Sequence, residues 1–120
     1  MEQILVVDDC SVTRKLLSFM IKRKGYGILN AANGVEGLEK LAGPEVDLII
    51  TDLNMPLMDG LEFTKTVRDI EEYRHIPIIM LTTEAGGEDR RLGEEAGIST
   101  YLVKPVEAEE LIGEIEKLIH

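Results

Sequence analysis

Short apolar runs alternate with stretches of helical spacing along the whole chain. Ile4-Leu5-Val6-Val7 is continuous and largely β-branched, as a strand covered on both faces requires. Val12, Leu16, Leu17, Met20 and Ile21 follow at helical spacing, and Gly25 closes that segment. Gly27 to Ala31 reads as a weaker strand. Asn33 reads as an N-cap with Glu36 three residues on, ahead of Val35, Leu38 and Leu41, and Gly43-Pro44 stops that helix. Val46 to Thr51 is the third strand. A turn-rich loop, Asn54 to Gly60, leads into a helix through Phe63, Val67 and Ile70. Pro77 to Leu81 and Tyr101 to Val103 are the fourth and fifth strands. Leu111, Ile112, Ile115, Leu118 and Ile119 form a clean stripe on the last helix. The helix between strands four and five contains Gly86, Gly87 and Gly93, with Leu92 its only large apolar residue. An interior glycine costs about 1 kcal/mol relative to alanine, so this helix is expected to be the least stable.

Five strands alternating with five helices predict an α/β fold, a doubly wound five-stranded parallel sheet. Strands one, three and four are the solid apolar runs and belong inside. Strands two and five are shorter or more polar and belong at the edges. The order 2-1-3-4-5 follows, a recognised doubly wound order with its ligand site at the switch point between strands one and three. At 120 residues, the chain is read as one domain spanning 1–120.

Composition narrows the partners. With 13 Lys and Arg against 23 Asp and Glu, the net charge is −10, and only 4% of residues are aromatic. Such a chain is repelled by phosphate backbones and anionic lipid and has few rings to stack on bases, so direct nucleic-acid binding is not expected. A single cysteine, Cys10, excludes an internal disulfide framework and a multi-cysteine zinc site. The first apolar run is too short for a signal peptide or membrane span, so a cytoplasmic protein with no membrane insertion is expected.

The chemistry lies at the strand ends. Asp8 and Asp9 follow the first strand, Asp52 the third, Thr82 and Thr83 the fourth, and Lys104-Pro105 the fifth. All strand C-termini of a parallel sheet lie along one edge, so three carboxylates, a hydroxyl and an ammonium converge there. Clustered carboxylates repel, and a cation is expected among them. An all-oxygen set suits a hard ion, best Mg²⁺. Such an ion, a lysine and a hydroxyl around a carboxylate describe a phosphoryl-transfer site, in which an aspartate can itself be the nucleophile.

The chain resembles the receiver domains of two-component response regulators, most closely the single-domain chemotaxis regulators. The matching pieces are Val6-Val7-Asp8-Asp9, Asp52-Leu53-Asn54-Met55-Pro56 with Asp59-Gly60, Met80-Leu81-Thr82-Thr83-Glu84-Ala85, and Tyr101-Leu102-Val103-Lys104-Pro105. The resemblance covers the whole chain. It implies that Asp52 accepts a phosphoryl group from the phosphohistidine of a sensor histidine kinase. Asp9 ligates Mg²⁺, Asp8 assists mostly through water, and the Asn54 backbone carbonyl completes the protein's share of the metal site. Lys104 pairs with the phosphoryl oxygens. Thr82 moves to bond the phosphoryl group and Tyr101 turns inward behind it, shifting the face formed by helix four, strand five and helix five toward a downstream target. Asn54 and Glu84 flank the site and could orient an attacking water, which implies a short-lived phosphoaspartate. The family's Lys-Pro bond is often cis. A phosphatase is a further partner in the family, and the chain is expected to be a monomer.

Plainer roles stand beside these. Asp8, Asp9 and Ser11 could cap the first helix, and Thr82 or Thr83 the weak one. Tyr101 could simply be packed, Cys10 inert, and His75 and His120 solvent-exposed. Val106 stands where an aromatic often follows Lys-Pro, and Gly86-Gly87 replaces lysines common in motility regulators. Arg90 and Arg91 offer positive charge nearby or merely a solvated helix surface. Three alternatives compete with the switch: a phosphorelay intermediate, an Asp-nucleophile phosphohydrolase, and a flavin carrier. A phosphohydrolase of the haloacid-dehalogenase type carries Asp-x-Asp after its first strand, where this chain has adjacent acids. In a flavin carrier, those two acids would repel the cofactor phosphate. Beyond handling its own aspartyl phosphate, the chain is not expected to be an enzyme.

Overall fold

A computed structural model describes every residue from Met1 to His120. The chain runs β1 (Gln3–Val7), α1 (Ser11–Lys22), β2 (Gly27–Ala31), α2 (Gly34–Leu41), β3 (Leu48–Thr51), α3 (Gly60–Asp69), a 3₁₀ turn at Glu71–Tyr73, β4 (Ile78–Thr82), α4 (Gly87–Ala96), β5 (Thr100–Val103) and α5 (Ala108–Ile119). The five strands pair in parallel in the order β2-β1-β3-β4-β5, as the strand compositions predict. Every residue of β3 and β4 is buried, whereas β2 and β5 are partly exposed.

Side-chain alternation divides the core. Ile4 and Val6 of β1 point to one face, where they meet Leu17 and Ile21 of α1 and Leu111, Ile112 and Ile115 of α5. Leu5 and Val7 point to the other, against Leu41 of α2 and Phe63 and Val67 of α3. The core is aliphatic except for Phe63 and two tyrosines, Tyr26 and Tyr101. Asn33 caps α2 as predicted, its Oδ1 accepting from Glu36 N–H at 2.9 Å. The returning Glu36 carboxylate takes Ala32 N–H at 3.0 Å, one residue upstream of the usual capping-box partner.

Several expectations shift. Val12 and Leu16 share the helical spacing of the first apolar segment, yet they are 64% and 55% exposed, and with Phe19 they form a second, outward stripe. Only Leu17 and Ile21 of α1 are fully buried. β3 starts at Leu48, because buried Val46 belongs to the preceding loop; β4 starts at Ile78 and continues through Thr82; Ile70 lies past the end of α3. In α4, Gly86 is the N-cap and Gly87 the first helical residue, so Gly93 alone among those glycines is interior. A Cβ on Gly93 would lie 2.9 Å from Ile98 Cδ1, so its smallness lets α4 close on the chain leading into β5. Neither Thr82 nor Thr83 caps α4, whose N-cap lacks a side-chain bond. Nor do Asp9 or Ser11 cap α1: its N-cap is Cys10, whose N–H donates to Asp8 Oδ1 at 2.9 Å.

Candidate phosphoryl-transfer site

The strand ends bring the predicted residues together. Asp8 leaves β1 with its N–H bonded to the Ala31 carbonyl of β2, and Asp52 leaves β3 with its N–H bonded to the Val7 carbonyl of β1. These ladder bonds set both carboxylates at the switch point. Lys104 leaves β5 with its N–H on the Thr82 carbonyl, and the Lys104-Pro105 peptide is cis. One carboxylate oxygen each from Asp8, Asp9 and Asp52 lies within 4.8 Å of the others. Lys104 Nζ lies 2.7 Å from Asp8 Oδ2 and 3.2 Å from Asp52 Oδ2.

Burial pulls the Lys104 ammonium down, but the hydrogen bond to Asp8 and the charges of Asp52 and Asp8 outweigh it, and its pKa stands above that of a free lysine. Lys104 therefore stays cationic through the neutral range. Three carboxylates and one ammonium leave two negative charges uncompensated, which a divalent ion would balance. The donors are all oxygens, so the residues fit a hard ion such as Mg²⁺. Asp8 is almost fully buried, Asp52 side-chain exposure is 13%, and Asp9 is exposed. The cluster is thus open to solvent on the Asp9 and Asp52 side.

Asp52 is held from below. Its Oδ1 accepts from Leu53 N–H at 2.7 Å. Gly60 N–H bonds the Leu53 carbonyl at 2.8 Å, and a Cβ on Gly60 would come within 2.1 Å of the Asp52 carbonyl oxygen. Only glycine lets the loop close there. That loop also holds Leu57 in the left-handed region at φ 69°. Arg14 of α1 donates to the Asp8 carbonyl, a contact with no signal in the sequence pattern.

Thr82 is fully buried at the end of β4. Asn54 Nδ2 donates to Glu84 Oε1 at 3.2 Å, so the two flanking residues meet each other at the exposed mouth. Tyr101 is 7% exposed, packed with Leu53 and Met80, and its hydroxyl donates to the Glu84 carbonyl. The inward position that the resemblance assigns to the phosphorylated protein is the one Tyr101 takes here. Burial, reinforced by Asp89 and Glu84 and opposed by Arg90, raises its phenol pKa. His75 and His120 are exposed, the latter 3.1 Å from Glu2 Oε1. Cys10 is exposed, its thiol pKa lowered mainly by a hydrogen bond from Thr13.

The family model of the response regulator receiver domain matches residues 4–116. The chain belongs to the receiver family. This receiver is 40% identical over 119 residues to the chemotaxis protein CheY1 of Helicobacter pylori, covering 98% of this chain and 96% of that one. Among solved structures, the chemotaxis protein CheY4 of Vibrio cholerae matches it with a TM-score of 0.93 at 39% identity, covering 98% of each chain. The receiver domain of the sensor histidine kinase PA1611 from Pseudomonas aeruginosa, which has a magnesium ion coordinated in its active-site cleft, matches with a TM-score of 0.91 at 31% identity, covering 98% of this receiver and 97% of that chain. No helix of this receiver is long and apolar enough to cross a membrane.

Proposed function

We propose that residues 1–120 act as one phosphorylation-activated switch, in which Asp52 accepts a phosphoryl group from the phosphohistidine of a sensor kinase. The observation that carries this reading is the convergence of Asp8, Asp9, Asp52 and Lys104 at the switch-point edge of the sheet. The Asp52 carboxylate attacks phosphorus, the phosphorus–nitrogen bond breaks, and the histidine leaves with the electron pair. Lys104, already cationic and within reach, pairs with a phosphoryl oxygen. Asp9 and Asp52, with Asp8 assisting through water and the Asn54 carbonyl, would hold Mg²⁺. When bound, the ion supplies charge neutralisation at the transferring phosphoryl oxygens.

Thr82 and Tyr101 form the switch. Thr82 moves to bond the phosphoryl group, which favours the inward over the outward position of Tyr101 and so shifts the equilibrium between two states of the face made by α4, β5 and α5. That face then binds a downstream protein in the cytoplasm, a chemotaxis-type output in keeping with the relatives. Asn54 and Glu84 orient the water that removes the phosphoryl group. A relay role, passing the group to another histidine protein, uses the same residues with a different partner.

Incubation with acetyl phosphate and Mg²⁺ tests this. Intact mass should rise by one phosphoryl group, and Asp52→Asn should abolish the gain. Multiple turnover of varied phosphate esters would instead mark a hydrolase.

A further inference from the structure

Glu84 is the meeting point of three hydrogen bonds. Its backbone carbonyl accepts from the Tyr101 hydroxyl, its Oε1 accepts from Asn54 Nδ2 at 3.2 Å, and its own N–H reaches Thr82 Oγ1 at 3.4 Å. Tyr101 comes from β5, Asn54 from the loop after β3, and Thr82 from the end of β4. One residue thus joins the output side of the sheet to the mouth of the Asp52 site.

The segment around Glu84 has little else to hold it. Thr83 through Gly87 are all exposed. Within Thr83–Gly86 the one backbone–backbone bond is Arg90 N–H to the Gly86 carbonyl, which belongs to the first turn of α4. The α4 N-cap has no side-chain bond, and a Cβ on Gly87 would meet nothing within 4 Å. The Thr82 bond is at the long end of the hydrogen-bond range. The Tyr101 ring, by contrast, is anchored, packed against Leu53 and Met80. Leu53 is the residue whose N–H holds Asp52 Oδ1. The tyrosine therefore carries a fixed reference from the floor of the site to a loop that lacks its own.

We propose that Tyr101 is a positioning residue for the Asn54–Glu84 pair: its hydroxyl fixes the Glu84 main chain, keeps the Glu84 carboxylate on the Asn54 amide beside Asp52, and so sets how fast phosphoaspartate is lost to water. This rests on the reading of Asp52 as phosphoacceptor. In that hydrolysis the water oxygen bonds phosphorus, the bond between phosphorus and the Asp52 oxygen breaks, and the carboxylate is regenerated. Both water protons leave on inorganic phosphate. Asn54 and Glu84 align the water, and alignment is lost if Glu84 drifts. A partner that moves Tyr101 from its inward place would then lengthen the life of the phosphoryl group.

Tyr101→Phe keeps the ring and removes the donor. The first readout uses unphosphorylated protein. The side-chain amide resonances of Asn54 should shift in Tyr101→Phe in the direction seen in Glu84→Ala. The second readout is decay of phosphoprotein loaded with acetyl phosphate. Loss should slow about five-fold in Tyr101→Phe, the rate equivalent of one ordinary hydrogen bond. It should slow no further when Tyr101→Phe is added to Glu84→Ala. A tyrosine that only packs would leave the Asn54 amide unmoved and would change decay equally in both backgrounds; either result overturns the proposal. If the wild type takes up no phosphoryl group, the reading of Asp52 fails, and the Asn54 resonances alone decide whether Tyr101 positions the pair.

Discussion

Lys104 Nζ sits 2.7 Å from Asp8 Oδ2, and the same ammonium reaches Asp52 at 3.2 Å. Asp9 shares the cluster but not the lysine. The third carboxylate is therefore held near two others without a cation of its own, and folding bears that repulsion.

Neutralising it should help the fold and hurt metal binding. Asp9→Asn is expected to stabilise the magnesium-free protein by about 0.5 kcal/mol, the scale of a solvent-screened interaction of an exposed charge, or about 2 °C in Tm for a chain of this size. Added Mg²⁺ should raise the Tm of the wild type, as any ligand that binds only the folded state does, and raise that of the variant far less. Thermal unfolding with and without Mg²⁺ checks both signs.

Two glycine environments predict opposite outcomes for one substitution. Gly60→Ala would place a Cβ 2.1 Å from the Asp52 carbonyl oxygen, so the loop must move. It is expected to lose more than about 1 kcal/mol of stability, as strained overpacking does, and to slow phosphorylation by acetyl phosphate. Gly113 lies inside α5, and a Cβ there would meet nothing within 4 Å. Gly113→Ala should stabilise by about 0.5–1 kcal/mol and leave phosphorylation alone. Denaturant unfolding and intact mass separate the two.

Adjacent leucines of α1 should behave differently. Leu17 is 4% exposed and Leu16 55%. Leu17→Ala should cost about 2–5 kcal/mol, whereas Leu16→Ala should stay within about 0.5 kcal/mol. Comparable losses in urea unfolding would contradict the outward stripe.

Tyr101 gives a pH test. Its phenol pKa is raised, chiefly by burial, so the folded protein favours the neutral form. The stability this contributes is fully present below the unfolded value of about 10 and is lost as pH rises through the folded pKa. Tyr26 is raised by burial as well, so spectrophotometric titration should show two late tyrosinates, of which Tyr101→Phe removes one, and the variant's stability deficit should shrink over the same alkaline range.

Strand order and the meeting of Asp8, Asp9, Asp52 and Lys104 at one sheet edge were legible because both depend on simple patterns. Runs such as Ile78 to Leu81 announce a strand covered on both faces, and a parallel sheet delivers whatever follows its strands to one edge. Helical spacing could not separate Leu17 from Leu16, since α1 carries apolar residues on two sides and only tertiary packing selects one. Gly86 and Gly87 resemble interior defects in the sequence because helix boundaries are set by the local turn, not by composition. The seat of Gly60 under Asp52 and the reach of Arg14 to the Asp8 carbonyl are approaches between separate segments, and neither leaves a periodic trace. Asn54 and Glu84 were each readable as flanking residues; that they bond each other was not.

If acids distant in sequence share one magnesium-dependent pocket, Mg²⁺ titration followed by NMR will reveal it, on the wild type and on Asp9→Asn. Saturable shifts are expected at Asp9, Asp52 and Asn54 in the wild type, strongly weakened in the variant. Resonances of Asp9 and Asp52 that stay in place as Mg²⁺ is added would refute the shared pocket.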